Sequence, residues 1–475
     1  MSTDRAGGSA RRVSRVIAPW LQRMTGRPVL ARVAKNAGYF FADRAVRIAV
    51  GVFVGVWMAR YLGPHDFGLY SFAIAFCYLF VPLSTLGLDN IVIRDVVREP
   101  HRKGEILGTC WFLRLAGSLL LLVACNAAIA LLRPEDRLTR ALVAVVSLGG
   151  LCQTLDTIDL WFQSQLRAKL SVGARGVGYI VATFLKVGLI LAGAGVVAFA
   201  IAGLLELALS AVALAGVYLA TGERLTEWRF RWRTAVGLLR ASWPLAISSL
   251  AIVTYMKIDQ VMLGQMLGSE AVGVYAAATR ISELCYFIPV GIVASVFAPL
   301  VETRTRDVEH YNRRMGQVFD GMALAAVGIS VPLALLSPFV VRIFFGAPYE
   351  AAGPVLAIHT WASVFVFLGA AQAPWDAAEG LTHLAMRRTL IGAGAKIALN
   401  LALIPGFALQ GAAAATLLSQ ACSGWLANAL HPKTRGIFVQ QSRALMVFRH
   451  VRRLGRTGAA GPGGSIAPGG PQERP

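Results

Sequence analysis

The sequence is short of charged residues. Only 15% of its 475 residues are Asp, Glu, Lys or Arg, whereas about 25% is usual in soluble globular proteins. Hydrophobic residues make up 56% of the chain, and the mean hydropathy is +0.60. Apolar segments of about 20 residues, the length that crosses a bilayer, recur along almost the whole chain. The shortage of charge therefore excludes a single soluble globular fold and indicates a polytopic membrane protein.

Other features are missing as well. Apolar stretches such as residues 117–132 do not alternate, as the strands of a membrane barrel would, so the spans are expected to be helices. The six cysteines form no CxxC pair and have no His at ligand spacing, and we expect no metal and no cofactor. Acidic residues number 25 against 46 basic ones. These basic residues lie in short segments between apolar ones, which excludes nucleic acid as a partner.

Twelve apolar segments long enough to span a bilayer divide the chain. Their predicted bounds are 37–61, 67–90, 108–132, 138–163, 172–193, 195–220, 240–264, 271–299, 316–345, 351–378, 384–405 and 409–430. Every second connection, starting with the one after the second segment, is rich in Lys and Arg, and such loops face the cytoplasm. The basic segment RPEDRLTR at 133–140 is an exception. Both termini are therefore expected in the cytoplasm.

A short motif occurs in both halves of the chain. LGPHDFGLYSFAIAF at 62–76 and LGSEAVGVYAAATRI at 267–281 match at five of fifteen positions without a gap, at an offset of 205 residues. Each copy predicts a tight turn between two spans. Two six-helix lobes related by an axis along the membrane normal would place a transport site between them. We expect a basic cytoplasmic N-terminal segment at 1–35, an N-lobe with helices 1–6 at 36–221, a cytoplasmic inter-lobe loop at 222–238, a C-lobe with helices 7–12 at 239–430, and a basic, disordered cytoplasmic tail at 431–475.

Four stretches, in this order, carry a family resemblance. They are ARYLGPHDFGLYSFA at 59–73, LSTLGLDNIVIRDV at 83–96, DTIDLWFQSQ at 156–165 and YMKIDQVMLGQMLGSEAVGVYAAATRISELCYFIP at 255–289. Together they resemble the polysaccharide and O-antigen flippases of the multidrug/oligosaccharidyl-lipid/polysaccharide exporter superfamily. The resemblance covers roughly residues 36–430 and implies the twelve-helix fold of the multidrug (MATE) and lipid II exporters.

The resemblance also implies an activity, which is transport and not enzymatic chemistry. Such flippases move an undecaprenyl-diphosphate-linked oligosaccharide from the cytoplasmic to the periplasmic leaflet of the bacterial inner membrane by alternating access, for surface polysaccharide biosynthesis. The implied partners are this lipid-linked oligosaccharide, membrane lipids, and polysaccharide polymerase or export proteins. A wet, polar cavity is needed, because sugar hydroxyls left without partners in hydrocarbon each cost several kcal/mol.

Cations inside the predicted spans are candidates for the diphosphate site. A charge near the bilayer centre costs about 2.5 to 3.5 kcal/mol on insertion scales, so such residues usually face a cavity or a partner. Guanidinium and ammonium groups match phosphate oxygens. The predicted substrate-binding residues are Arg44, Arg47, Lys186, Lys257, Arg280 and Lys396. Snorkelling or an internal ion pair is the alternative for each, and Arg280, the strongest candidate, could instead pair with Glu283 at i,i+3.

Acidic residues in the spans suggest a second role. Asp259 and Asp376 are candidates for coupling transport to H⁺ or Na⁺, with pairing of Asp259 to Lys257 as the alternative. Two other functions stay open: a multidrug exporter of the same fold, and a membrane glycosyltransferase or polymerase. The cations favour an anionic substrate over a cationic drug. An enzyme would be expected to have a DxD-like metal pair, whereas Asp156 and Asp159 lie one helical turn apart inside a span.

Overall fold

The computed structural model describes residues 27–293 and 308–446, with side chains from residue 50 to 293 and from 309 to 446. All regular structure in these ranges is helical. The α-helices are α1 Arg27–Tyr78, α2 Val81–Thr85, α3 Asp89–Arg98, α4 Lys103–Leu132, α5 Arg137–Cys152, α6 Thr157–Ser164, α7 Ala168–Leu191, α8 Val196–Ala220, α9 Trp232–Met266, α10 Ser269–Leu284, α11 Val308–Leu335, α12 Ser337–Phe345, α13 Ala352–His359, α14 Ala362–Ala378, α15 Thr382–Gly424 and α16 Arg435–Leu445. Residues 287–293 are also helical.

Two of the long helices are bent back and each accounts for two predicted spans. Helix α1 has 52 residues, which at 1.5 Å per residue would be about 78 Å if it were straight, far more than a bilayer core of about 30 Å. Gly63 interrupts it with φ 72° and ψ 171°, and Ala408 interrupts α15 with φ 47° and ψ −126°. In the described residues ten helical stretches are long and apolar enough to cross a membrane. Two of these ten stretches contain the reversals at Gly63 and Ala408, so ten stretches are compatible with twelve predicted spans. The predicted all-helical polytopic architecture is confirmed.

The helices pack as two halves that meet along α1. In the first half α7 packs on α8 and on α1, and in the second half α9 and α14 pack on α15. Across the halves the most extensive contact is between α1 and α10. The largest buried apolar cluster includes Phe67 and Phe72 from the first half and Tyr275 and Tyr349 from the second. A continuous core therefore joins the two halves on the side of the Gly63 turn.

The two copies of the motif adopt the same backbone conformation at their turns. Gly268, at φ 89° and ψ −179°, repeats the left-handed geometry of Gly63. Only glycine adopts such a conformation without strain, which explains the Leu-Gly pair at both turns. The glycine five residues further on in each copy, Gly68 and Gly273, lies in the contact between α1 and α10. The repeated motif thus builds both the turns and part of the seam between the halves.

The connection between the halves differs from the predicted loop at 222–238. Helix α9 begins at Trp232, before the predicted C-lobe boundary at 239, because the first turns of α9 continue past the apolar span into polar sequence. The connector before it packs on α4: Arg229 donates its backbone N–H to the Gly104 carbonyl at 3.1 Å. A Cβ at Gly104 or Gly108 would overlap the connector backbone. The connector is therefore fixed to the first half.

The terminal boundaries are also corrected. The predicted disordered tail at 431–475 contains helix α16, Arg435–Leu445, whose Ile437, Gln441 and Ala444 are buried against the second half. The predicted N-terminal segment at 1–35 overlaps α1, which begins at Arg27. Residues 1–26 and 447–475 of these predicted segments lie outside the described residues.

Candidate functional site

Arg280 links the two halves without an acidic partner. It lies on α10, and its Nη2 donates to the backbone carbonyl of Gly51 on α1 at 2.8 Å. Gly55 leaves the space that the guanidinium occupies, since a Cβ there would overlap it. Among the described residues Arg280 forms no ion pair, and its side chain is only partly buried. The i,i+3 pair with Glu283 that the sequence allowed is not formed.

Glu283 faces Lys257 instead. The Lys257 Nζ and the Glu283 Oε2 are 3.9 Å apart, at the limit of an ion pair, and the two side chains are 21% and 30% exposed. Glu283 lies one helical turn after Arg280 on α10, and Lys257 lies on the neighbouring α9. The structure therefore brings Arg280, Lys257 and Glu283 into one region next to the seam. At this separation Lys257 and Glu283 share no hydrogen bond.

Lys396 is enclosed in a buried ion pair with Asp259. The Lys396 Nζ lies 3.0 Å from the Asp259 Oδ2, and both side chains are 3% exposed. The Tyr275 hydroxyl donates to the same carboxylate at 2.7 Å, and the Lys396 ammonium lies over the Tyr255 ring. The alternative partner that the sequence suggested for Asp259, Lys257, is thus wrong, because Lys396 on α15 occupies that place. Asp259 already has a fixed positive charge where an exchangeable ion would have to bind.

Lys186 lies in a cavity inside the first half. Its Nζ binds the Glu206 Oε2 at 2.7 Å, and the side chains are 18% and 24% exposed. The cavity has a volume of about 260 Å³ and is also lined by Tyr70, Ser147 and Gln153. Tyr70 is the counterpart of Tyr275 in the repeated motif. Lys186 on α7 and Lys396 on α15 are thus both paired inside their own half, but with carboxylates from unrelated positions.

Asp376 belongs to a buried polar cluster in the second half. It forms an ion pair with Arg388, and these side chains are 5% and 13% exposed. Arg388 also donates to Asn428 at 2.9 Å, and Asn428 donates to Gln441 of α16 at 3.0 Å. This geometry favours a structural role for Asp376 over ion coupling.

The first half contains a similar pair that sequence reasoning missed. Arg175, at the start of α7, donates to Asp156 at 2.9 Å and to Asp159 at 2.8 Å. In both halves the carboxylates thus come from the end of one span and the arginine from the start of the next. In each helical hairpin the acidic residue precedes the arginine, and this shared order is the sequence signal that could have identified the pair. The repeated motif at 62–76 and 267–281 does not include these positions.

Two predicted site residues cannot be placed with the others. The side chains of Arg44 and Arg47 lie outside the described residues, although their backbone is part of α1. Of the four predicted cations with described side chains, Lys186 and Lys396 are in separate halves and paired, whereas Lys257 and Arg280 lie near the seam. The described part of the chain has no group of three His, Cys, Asp or Glu side chains placed to hold a metal ion.

Sequence comparison identifies a family and two known proteins that this chain resembles. A family model described as "Polysaccharide biosynthesis protein" matches residues 57–354. The "Probable flippase AglR" of Haloferax volcanii is 23% identical over 416 residues, covering 85% of this chain and 84% of its own length. The "Putative O-antigen transporter" of Shigella flexneri is 20% identical over 334 residues, covering 67% of this chain and 78% of its own length.

Solved structures share the fold. The lipid II flippase MurJ in an inward closed conformation superposes with a TM-score of 0.69 at 15% identity, over 87% of this chain and 92% of that one. A multidrug resistance transporter of the MATE family, in an inward-facing conformation, gives a TM-score of 0.64 at 16% identity, over 86% of this chain and 95% of that one. The predicted MATE-like fold is therefore confirmed.

Proposed function

The chain belongs to the polysaccharide biosynthesis protein family, and from this premise we propose that it is a flippase for an undecaprenyl-diphosphate-linked oligosaccharide. It is a multi-pass membrane protein with the fold of transporters, and its relatives are transporters and not enzymes. The finer steps of the proposal are movement from the cytoplasmic to the periplasmic leaflet of a bacterial inner membrane, alternating access between two lobes, and cytoplasmic termini.

Arg280 is the observation that carries the substrate assignment. Its guanidinium lies between the two halves, is partly exposed, and is bound only to a neutral backbone carbonyl in the described residues. A phosphate oxygen is a stronger acceptor than a neutral carbonyl, and a guanidinium can bind it bidentately. The diphosphate would therefore displace the Gly51 carbonyl. No buried ion pair has to break for this exchange.

The other predicted cations have different roles in the proposal, depending on whether a carboxylate already binds them. Lys257 is held by Glu283 at 3.9 Å and can turn toward an anion next to Arg280. Arg44 and Arg47 stay candidates, since α1 also carries the Gly51 carbonyl. Lys186 and Lys396 have close carboxylate partners, so we assign them to the interior of each lobe and not to first contact with the diphosphate.

Export of the headgroup does not require a coupled ion. With the cytoplasm negative, outward movement of two negative charges is downhill by about 4 to 5 kcal/mol per 100 mV, from about 2.3 kcal/mol per charge. Asp259 and Asp376, the two candidates for H⁺ or Na⁺ coupling, each have a basic partner in the structure. Membrane-potential-driven export is therefore the favoured form of the proposal.

Charge argues against the two other functions. A cationic drug would be repelled by a free Arg280 at the seam, which disfavours a multidrug exporter. A metal-dependent glycosyltransferase would need free carboxylates, whereas Asp156 and Asp159 both bind Arg175. Lipid-linked oligosaccharide, membrane lipids and polymerase or export proteins remain the proposed partners.

The test is to delete the gene and identify the undecaprenyl-linked oligosaccharide that accumulates on the cytoplasmic leaflet. Complementation with Arg280→Ala should fail at a normal protein level, and Arg342→Ala, which removes an exposed arginine from α12, should restore export. Accumulation of no such lipid, or full export with Arg280→Ala, would refute the proposed substrate or the proposed site, respectively.

A further inference from the structure

A basic pocket lies where the first half, the connector and the second half meet. It has a volume of about 530 Å³. Its walls come from the end of α3, the start of α4 and the first turns of α9. The polar residues that line it and carry the argument are Arg98, Arg102, Glu105, Arg231, Arg233 and Thr234.

Part of the charge in this pocket is internally neutralised. Arg102 forms ion pairs with Glu99 and, at 2.7 Å, with Glu105. Glu105 also accepts from Arg231 at 3.1 Å and from the Thr234 hydroxyl. Two arginines, Arg102 and Arg231, are thus balanced by two glutamates. This network fixes the pocket wall and joins α4 to α9.

Two further arginines of the pocket are not neutralised. Arg98 and Arg233 are exposed and have no ion pair in the described part of the chain. Asp95, the remaining acidic residue of the lining, is bound by Arg94 at 2.8 Å. The pocket therefore has an uncompensated positive charge of about two, which is enough to neutralise a lipid phosphodiester, with about one negative charge, or a diphosphate, with about two.

The first turn of α9 adds to the positive potential. The residue before the helix, Arg231, provides no side-chain cap, so the first backbone N–H groups of α9 lack a capping acceptor. Helix N-termini of this kind favour anions through these N–H groups and the helix dipole. The N-terminus of α9 adds to the positive potential of Arg98 and Arg233, and these two arginines define the site.

Aromatic side chains place the pocket at the depth of lipid headgroups. Phe112, Phe230 and Trp232 follow one another in ring contact, at centroid distances of 5.7 and 6.3 Å. The Trp232 side chain is 72% exposed, and its only polar group is the indole N–H. Exposed tryptophans of membrane proteins concentrate at the bilayer interface. Arg240 is also exposed on α9, and beyond it the next exposed side chains are apolar, including Leu245, Ile247 and Leu250, as expected where hydrocarbon begins.

We propose that this pocket binds the phosphate of a membrane lipid headgroup through Arg98 and Arg233. The phosphate would sit over the first turn of α9, and the acyl or prenyl chain would run along the apolar surface of this helix beyond Arg240. Acidic phospholipid and a polyprenyl diphosphate share this chemistry, and the experiment separates them. Because binding is measured on the purified protein, the proposal does not depend on the transport reaction.

The experiment measures lipid binding to the full-length protein by native mass spectrometry. The protein is purified in detergent and titrated with phosphatidylglycerol, undecaprenyl diphosphate or phosphatidylcholine. The pocket variant is Arg98→Gln/Arg233→Gln. The matched control, Arg224→Gln/Arg229→Gln, removes the same charge from exposed positions of the connector that do not line the pocket.

The expected result is a loss of affinity of about a hundredfold for a phosphate lipid in the pocket variant, the effect of losing two charge-assisted hydrogen bonds of about tenfold each. The control variant should bind as the wild type does, and phosphatidylcholine should bind weakly to all three proteins. Selective loss for phosphatidylglycerol identifies a phospholipid site, and selective loss for undecaprenyl diphosphate identifies a site for the lipid carrier. Equal binding by the pocket variant and the wild type, or an equal loss in the control, overturns the proposal.

Discussion

Gly68 and Gly273 pack against each other at the seam between the two halves of the molecule. A Cβ at Gly68 would overlap the Ser269 carbonyl, and a Cβ at Gly273 would overlap the Pro64 carbonyl. Pro64 and Ser269 are separated by the same 205 residues as the two glycines. The two contacts are therefore equivalent, and the repeated motif packs on its own second copy around a local two-fold axis.

The first prediction concerns this glycine contact. Gly68→Val should keep the two helices apart and disfavour the conformation with a closed seam, because overpacking costs about 1 to 3 kcal/mol. The rate of lipid-linked oligosaccharide flipping in reconstituted vesicles should fall. Gly216→Val is the matched control, since Gly216 lies in α8 with open space around it. An unchanged rate in Gly68→Val at normal stability would show that the contact does not take part in the cycle.

The second prediction tests the position of Arg280 without removing its charge. Gly55→Ala should displace the guanidinium, because the new methyl group would overlap it, and flipping should decrease as it does in Arg280→Ala. Gly188→Ala, in a helix position with no neighbour, serves as the control. Full activity of Gly55→Ala would mean that the charge matters and the geometry does not.

The third prediction concerns the buried Asp259–Lys396 pair. Lys396→Met should destabilise the protein by about 3 to 5 kcal/mol, because it leaves the Asp259 carboxylate buried without a counter-charge. The double variant Asp259→Asn/Lys396→Met should recover most of this loss, which thermal unfolding in detergent can measure as a double-mutant cycle. A double variant as unstable as the single one would show that the pair is not the source of the effect. A stable Asp259→Asn protein whose transport loses its pH dependence would instead support ion coupling.

The fourth prediction separates a structural from an ion-coupling role for Asp376. Asp376→Ala should leave Arg388 unpaired and loosen the chain of contacts from Arg388 through Asn428 to Gln441 of α16. Trypsin should then cleave faster at Arg435 or Arg443. Glu350→Ala removes an exposed acidic residue and should not change the cleavage rate. Unchanged cleavage together with altered Na⁺ or H⁺ dependence of transport would favour the coupling role.

The helical spans were predictable because a bilayer imposes a local constraint. Every crossing needs about 20 apolar residues, and this requirement can be counted along the sequence. The turns at Gly63 and Gly268 were predictable for a similar reason, since a left-handed backbone selects glycine within a single motif. The reversal at Ala408 coincides with the break between the predicted spans 384–405 and 409–430, whereas its backbone conformation had no signal, because alanine seldom adopts it.

The partners of the buried charges were not predictable from one sequence. Lys396 and Asp259 are far apart in the chain, and Arg280 binds the backbone of a residue 229 positions away. Local spacing suggested Glu283 for Arg280 and Lys257 for Asp259, and both suggestions are wrong because neighbouring helices supply better-placed groups. Hydropathy identifies which residues need a partner, whereas helix packing decides which partner each one finds.

The attachment of the connector to α4 determines where the molecule can bend. The backbone of Arg229 is hydrogen-bonded to Gly104, so the connector moves as part of the first half and cannot act as slack between two swinging bodies. Rotation of one body against the other must then be absorbed inside α9 itself. Pro244 lies within that helix and cannot donate a hydrogen bond to the carbonyl of Arg240. If transport proceeds by the proposed alternating access, the turns of α9 before this proline would form a short lever whose stiffness limits the rotation of the second half.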